Sequence, residues 1–147
     1  MTKPKTILVV DDDPAFLESV AELLESYGYR ALTATDGNEG VKTAMAKGPD
    51  LMILDVMMAT DTEGFDIARR VRTIPELARV PILLVTGVVK AMHLRKPPEP
   101  DPEWLPVDRV LEKPVDPARL MKEINRVLHT QPKGEGRDEQ EEDPAGR

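Results

Sequence analysis

The sequence predicts an α/β fold, a doubly wound parallel sheet of five strands with helices on both faces. Two observations predict it. Five short apolar runs alternate with stretches of helical spacing. The runs are also continuous rather than alternating apolar and polar, as strands buried on both faces are.

The elements follow in order. Thr6 to Val10 is a β-branched apolar run that stops at Asp11-Asp12-Asp13. Asp13 suits the N-cap of a helix and Pro14 its first turn. Leu17, Val20, Leu24 and Tyr27 share one helical face, and Gly28 is a stop. Arg30 to Thr35 reads as a second strand, and Asp36 caps a helix carrying Val41, Ala44 and Met45 that ends at Gly48-Pro49. Leu51 to Leu54 is a third strand stopping at Asp55. Gly64 to about Ile74 is helical by the spacing of Ile67 and Val71, with Pro75 as breaker. Val80 to Val85 is a fourth strand stopping at Thr86. The next segment predicts a shortened helix over Val88 to about Arg95, then an extended loop, because the prolines at 97, 98, 100 and 102 cannot continue a helix. Val107 to Leu111 is the fifth strand and stops short of Lys113-Pro114. Asp116-Pro117 opens a last helix bearing Leu120, Ile124, Val127 and Leu128.

Length and composition bound the function. A chain of 147 residues with 40% apolar residues supports one core of ordinary size. The reading divides it into a flexible N-terminus over 1–5, one folded domain over 6–129 and a disordered acidic tail over 130–147, where no apolar residue follows except Ala145. A net charge of −7 and 3% aromatics argue against direct nucleic-acid binding, which needs basic faces and stacking platforms. The absence of cysteine excludes thiol chemistry and disulfides. With no long apolar run and a polar amino terminus, the expectation is a cytoplasmic protein without membrane insertion.

Ligands of open parallel sheets bind beyond the carboxyl ends of the strands. There the sequence puts Asp11, Asp12 and Asp13, Asp55, Thr86 and Lys113. Clustered carboxylates repel one another and call for a cation, and all-oxygen ligation suits magnesium. A hydroxyl and an ammonium nearby suit a phosphoryl group, whose oxygens need donors and positive charge. A helix-terminal charge cluster is the plain alternative for the three aspartates, but one cap would suffice. His93 and His129 are unsupported as ligands and read as surface residues.

Ile7-Leu8-Val9-Val10-Asp11-Asp12-Asp13-Pro14, Leu54-Asp55-Val56-Met57-Met58, Leu84-Val85-Thr86-Gly87 and Glu112-Lys113-Pro114 together resemble the response-regulator receiver domain, in order and on the expected elements, over residues 5 to 129. The resemblance implies a flavodoxin-like, CheY-like sheet of order 2-1-3-4-5. It implies that Asp55 accepts a phosphoryl group from a sensor histidine kinase or a phosphotransfer protein. Asp11 and Asp12 resemble the pair that holds Mg2+ together with Asp55 and the backbone carbonyl of Met57. Thr86 resembles the hydroxyl residue and Lys113 the lysine that pair with the phosphoryl group, and the Lys113-Pro114 bond resembles one that is typically cis. Such a chain is no enzyme in the ordinary sense but a phosphoacceptor that assists its own phosphoryl transfer and dephosphorylation, passing a changed surface to a downstream protein.

The sequence departs from that pattern at several points. Ala59 stands where proline is usual and Gly64 falls nine residues after Asp55 rather than eight, so one residue is inserted in the loop between. Val110 replaces the aromatic three residues before the lysine, which removes the partner for an aromatic rotation. Val115 and the proline-rich connection alter a face on which receivers commonly dimerise or dock, and this predicts a different partner or mode of assembly. Met57 and Val88, both apolar, stand where the family tunes access of hydrolytic water, and this predicts a long-lived phosphoryl group. Two other functions compete. One is a receiver-like interaction scaffold independent of phosphorylation. The other is an aspartate-nucleophile phosphatase of the haloacid-dehalogenase type, which wants an aspartate where Met57 stands.

Overall fold

The computed structural model of the protein describes residues 3–55, 63–87, 99–103 and 105–129. Five strands, β1 (Thr6–Val10), β2 (Arg30–Ala34), β3 (Leu51–Asp55), β4 (Ile82–Thr86) and β5 (Arg109–Glu112), pair in parallel in the order β2-β1-β3-β4-β5. The described helices are α1 (Pro14–Ser26), α2 (Gly37–Lys47), α3 (Glu63–Thr73) and α4 (Pro117–His129). The expected helix over 88–95, the loop over 56–62, His93 and the tail over 130–147 lie outside the described residues.

The two-residue period of a strand divides each run between two cores. Leu8, Val10, Met52, Leu54, Ile82 and Leu84 pack with Val41 and Ala44 of α2 and Ile67, Ala68 and Val71 of α3. Ile7, Val9, Leu51, Ile53, Leu83, Val85 and Leu111 face the other way, against Leu17, Val20 and Leu24 of α1 and Leu120, Met121, Ile124 and Val127 of α4. With both faces covered, no strand residue of β1, β3 or β4 except Thr6 escapes burial. The doubly wound arrangement and the strand order are therefore those expected.

Three of the described helices, α1, α2 and α4, begin where short acidic side chains can accept from free amides. Asp13 accepts from the N–H groups of Ala15 (3.0 Å) and Phe16 (3.4 Å), Asp36 from Glu39 (2.8 Å) and Asp116 from Arg119 (3.0 Å). Gly48 ends α2 in the left-handed conformation at φ 60°. Gly40 lets α2 lie on β1: a β-carbon there would sit 2.8 Å from Cγ2 of Val10.

Some expectations are corrected. Tyr27 is 58% exposed rather than on the buried face of α1, because the helix ends at that residue and the chain turns through Gly28 at φ 91°. Met45 is 47% exposed, one residue and about 100° past the buried Ala44. β2 stops at Ala34. β4 starts at Ile82 rather than Val80, because Val80 closes a turn onto the Leu77 carbonyl and Pro81 has no N–H. Val107 lies before β5, its N–H turned to the Leu105 carbonyl. The end of the proline-rich connection is no extended loop. Asp101 and Leu105 exchange backbone hydrogen bonds at 2.8 and 3.0 Å, and this turn drives Leu105 fully into the core.

Candidate functional site: an acidic cluster at the carboxyl edge of the sheet

The central strands of a parallel sheet end on the same side, and here β3 and β4 end on a polar residue while β1 ends one residue before one. The N–H of Asp11 donates to the carbonyl of Ala34 at the end of β2 (3.1 Å), which fixes the first residue of the acidic turn. Its two carboxylate oxygens then have different partners. Oδ1 accepts from the N–H of Asp13 (2.9 Å), and Oδ2 lies 3.0 Å from Nζ of Lys113. Asp11 is 1% exposed, a burial that a carboxylate tolerates only with such partners.

Asp55 ends β3 opposite Val85, and Thr86 ends β4 opposite Glu112. Both are buried, Thr86 completely. The backbone N–H of Lys113 donates to the Thr86 carbonyl (2.8 Å), extending the β4–β5 pairing by one bond. Lys113-Pro114 is cis. From there the lysine side chain reaches across the sheet edge, its Nζ 3.6 Å from Oδ2 of Asp55 and 4.4 Å from the ring centroid of Phe16.

Asp11, Asp12 and Asp55 each offer a carboxylate oxygen, and these atoms lie within 4.8 Å of one another. Asp12 is exposed where the other two are buried. Among the described residues, three carboxylates against one ammonium leave a negative excess held by hard oxygen donors, the set that suits a divalent cation such as magnesium or calcium rather than a softer metal. The sequence-predicted residues thus converge: Asp11, Asp12 and Asp55 within reach of one another, Lys113 beside Asp11 and Asp55, and Thr86 on the adjoining strand end. Met57, with its carbonyl, and Val88 lie outside the described residues. Phe16 was missed. An aromatic in the first turn of the helix that follows the acidic turn is the signal that could have found it.

The family profile of the response regulator receiver domain matches residues 7–125. The chain belongs to the response regulator receiver family. PilH of Pseudomonas aeruginosa is 33% identical over 125 residues, 83% of this chain and 96% of PilH. The probable transcriptional regulatory protein TcrX of Mycobacterium tuberculosis is 38% identical over 85 residues, 58% of this chain but 35% of TcrX. The receiver therefore spans nearly all of the one relative and about a third of the other. Among solved structures, the chemotaxis response regulator CheY4 of Vibrio cholerae superposes with a TM-score of 0.70 at 28% identity, over 84% of this chain and 98% of CheY4. A CheY-like receiver domain protein of Methanospirillum hungatei superposes at 0.68 with 26% identity, over 85% and 94%. As a receiver the chain is a component of two-component signalling and not an enzyme of the ordinary kind. Among the described residues no helix is long and apolar enough to cross a membrane.

Proposed function

We propose that this receiver takes a phosphoryl group on Asp55 from a sensor histidine kinase or a phosphotransfer protein in the cytoplasm and passes the signal to a downstream protein by a changed surface. The observation that carries the reading is the meeting of Asp11, Asp12, Asp55 and Lys113 from three separate stretches of chain. An interaction scaffold has no use for that cluster, and among the described residues no contact in the site favours that alternative.

In the reaction an Oδ atom of Asp55 attacks phosphorus, a P–O bond forms, and the P–N bond to the donor imidazole breaks with its electron pair leaving on nitrogen. Burial keeps competing water from the nucleophile. Lys113, already 3.6 Å from Asp55, pairs with a phosphoryl oxygen, and the Thr86 hydroxyl donates to another. Asp11, Asp12, Asp55 and the carbonyl of Met57 would hold magnesium, which when bound offsets the charge of the carboxylates and of the phosphoryl oxygens. The same groups assist later hydrolysis, slowed by the apolar Met57 and Val88.

The test is intact-mass analysis after incubation with phosphoramidate and Mg2+. The wild type gains about 80 Da, one phosphoryl group, and Asp55→Asn gains nothing. An unmodified wild type, or an equal adduct on the variant, overturns the assignment of Asp55.

A further inference from the structure

We propose that Phe16 is a positioning residue for phosphoryl transfer, its ring face holding the Lys113 ammonium over the acidic site. The inference rests on the receiver reading above and deepens it.

Phe16 sits in the first turn of α1, and that turn is fixed by Asp13, whose carboxylate accepts from the N–H groups of Ala15 and Phe16. Lys113 arrives from the other side of the site, on the loop after β5. Its Nζ lies 4.4 Å from the ring centroid while also 3.0 Å from Asp11 and 3.6 Å from Asp55. A ring face at that distance attracts an ammonium through its quadrupole. A lysine has a flexible four-carbon stem and loses rotamer freedom when held, so a wall on one side narrows where its charge can be.

The choice of an aromatic over a further carboxylate has a consequence for the chemistry. Another carboxylate would deepen the like-charge repulsion around Asp55 and compete with the phosphoryl oxygens for the lysine. The neutral ring does neither, and its broad attraction allows Nζ to shift from Asp11 towards an incoming phosphoryl oxygen without leaving the ring. The chain has only two phenylalanines, and one of them lies on the site lysine. The bland reading is that Phe16 merely packs against the core cluster below it. Leucine would serve that purpose equally well, and this separates the two.

The experiment compares wild type, F16L and F16Y with phosphoramidate and Mg2+ by time-resolved intact mass, so that no partner protein is needed. F16Y keeps a ring face and phosphorylates within about twofold of the wild type, whereas F16L is slower by about three- to tenfold, the scale of a partly desolvated cation–π contact. In NMR spectra of lysine-labelled protein, the ring-current shift of the Lys113 Cε protons persists in F16Y and vanishes in F16L. Thermal melts show that F16L is folded, and F16M replaces it if not. An F16L rate equal to the wild type, or F16Y as slow as F16L, overturns the inference and leaves the receiver reading standing. A wild type that takes no phosphoryl group overturns both.

Discussion

The two edges of the sheet handle charge in opposite ways. At the amino edge, Arg72 of α3 sends Nε to the Pro106 carbonyl (3.0 Å) and Nη1 to the Val80 carbonyl (2.6 Å), while Nη2 pairs with Asp108 (3.4 Å). Asp108 in turn accepts from the N–H of Ile82 (2.7 Å), and Asp50 accepts from Thr6 (2.8 Å). Burial pushes the Arg72 guanidinium below its ordinary range, and the neighbouring Asp108 acts the other way. Arg72, Asp108 and Asp50 each meet an opposite charge or a backbone dipole, and the first two form a clasp tying α3 to the starts of β4 and β5. At the carboxyl edge, Asp11, Asp12 and Asp55 crowd within 4.8 Å, with Lys113 as the cation beside them. An imbalance of that kind costs stability, and it is maintained where a ligand is to complete it. The contrast separates polar groups that hold the fold from those proposed to do chemistry.

Removing the arginine should break the first half of this comparison. Arg72→Ala leaves the carbonyls of Val80 and Pro106 without their donor and is expected to cost about 2–4 kcal/mol in urea denaturation. The gain in melting temperature on adding Mg2+ should survive, because the carboxyl edge is untouched. Loss of that gain would show that the two edges are not independent. The second half breaks at Asp12. Asp12→Asn relieves repulsion at an exposed position and should change stability without metal by no more than about 0.5 kcal/mol. Its Mg2+ affinity should fall about tenfold or more, since ligand charge count sets affinity. At a concentration one hundred times the wild-type Kd, the wild type gains about 2.7 kcal/mol and the variant about 1.4 kcal/mol or less. Equal Mg2+-dependent shifts in the two proteins would remove Asp12 from the metal site.

The carboxyl edge was far more legible in the sequence than the amino edge. Asp11 and Lys113 are 102 residues apart, yet both follow apolar runs, and a parallel sheet brings all such positions to one edge. The number of strands and the covering of both faces followed from the continuous runs, while the order of the strands came through the family resemblance. Arg72 was invisible because its partners are mostly backbone carbonyls, which no side-chain pattern marks. Leu77 and Leu105 are buried from turns, where there is no period to read. Glu123 is 5% exposed on α4, since three residues after Leu120 and four before Val127 it falls beside the buried stripe, where a charged side chain is not expected. Its partner Arg109 comes from β5, with Nη2 3.1 Å from Oε1 in an ion contact outside hydrogen-bond geometry. Tyr27 and Met45 show the converse: apolar identity near a buried stripe does not bury a residue past the helix end or one step around it.

The three consecutive aspartates put the contrast between structure and chemistry within a single turn. Asp11 and Asp12 contribute oxygens to the cluster, but the Asp13 carboxylate is turned to the Ala15 and Phe16 amides and caps α1. Asp13 reaches the site only through its backbone, whose N–H holds Oδ1 of Asp11, a bond that alanine keeps. Asp13→Ala should therefore cost the usual value of an N-cap, about 1 kcal/mol, in urea denaturation. Its Mg2+-dependent thermal shift should match the wild type, unlike that of Asp12→Asn. A variant of unchanged stability with weakened Mg2+ binding would reverse the roles assigned within the turn, and would make the third aspartate a ligand rather than a cap.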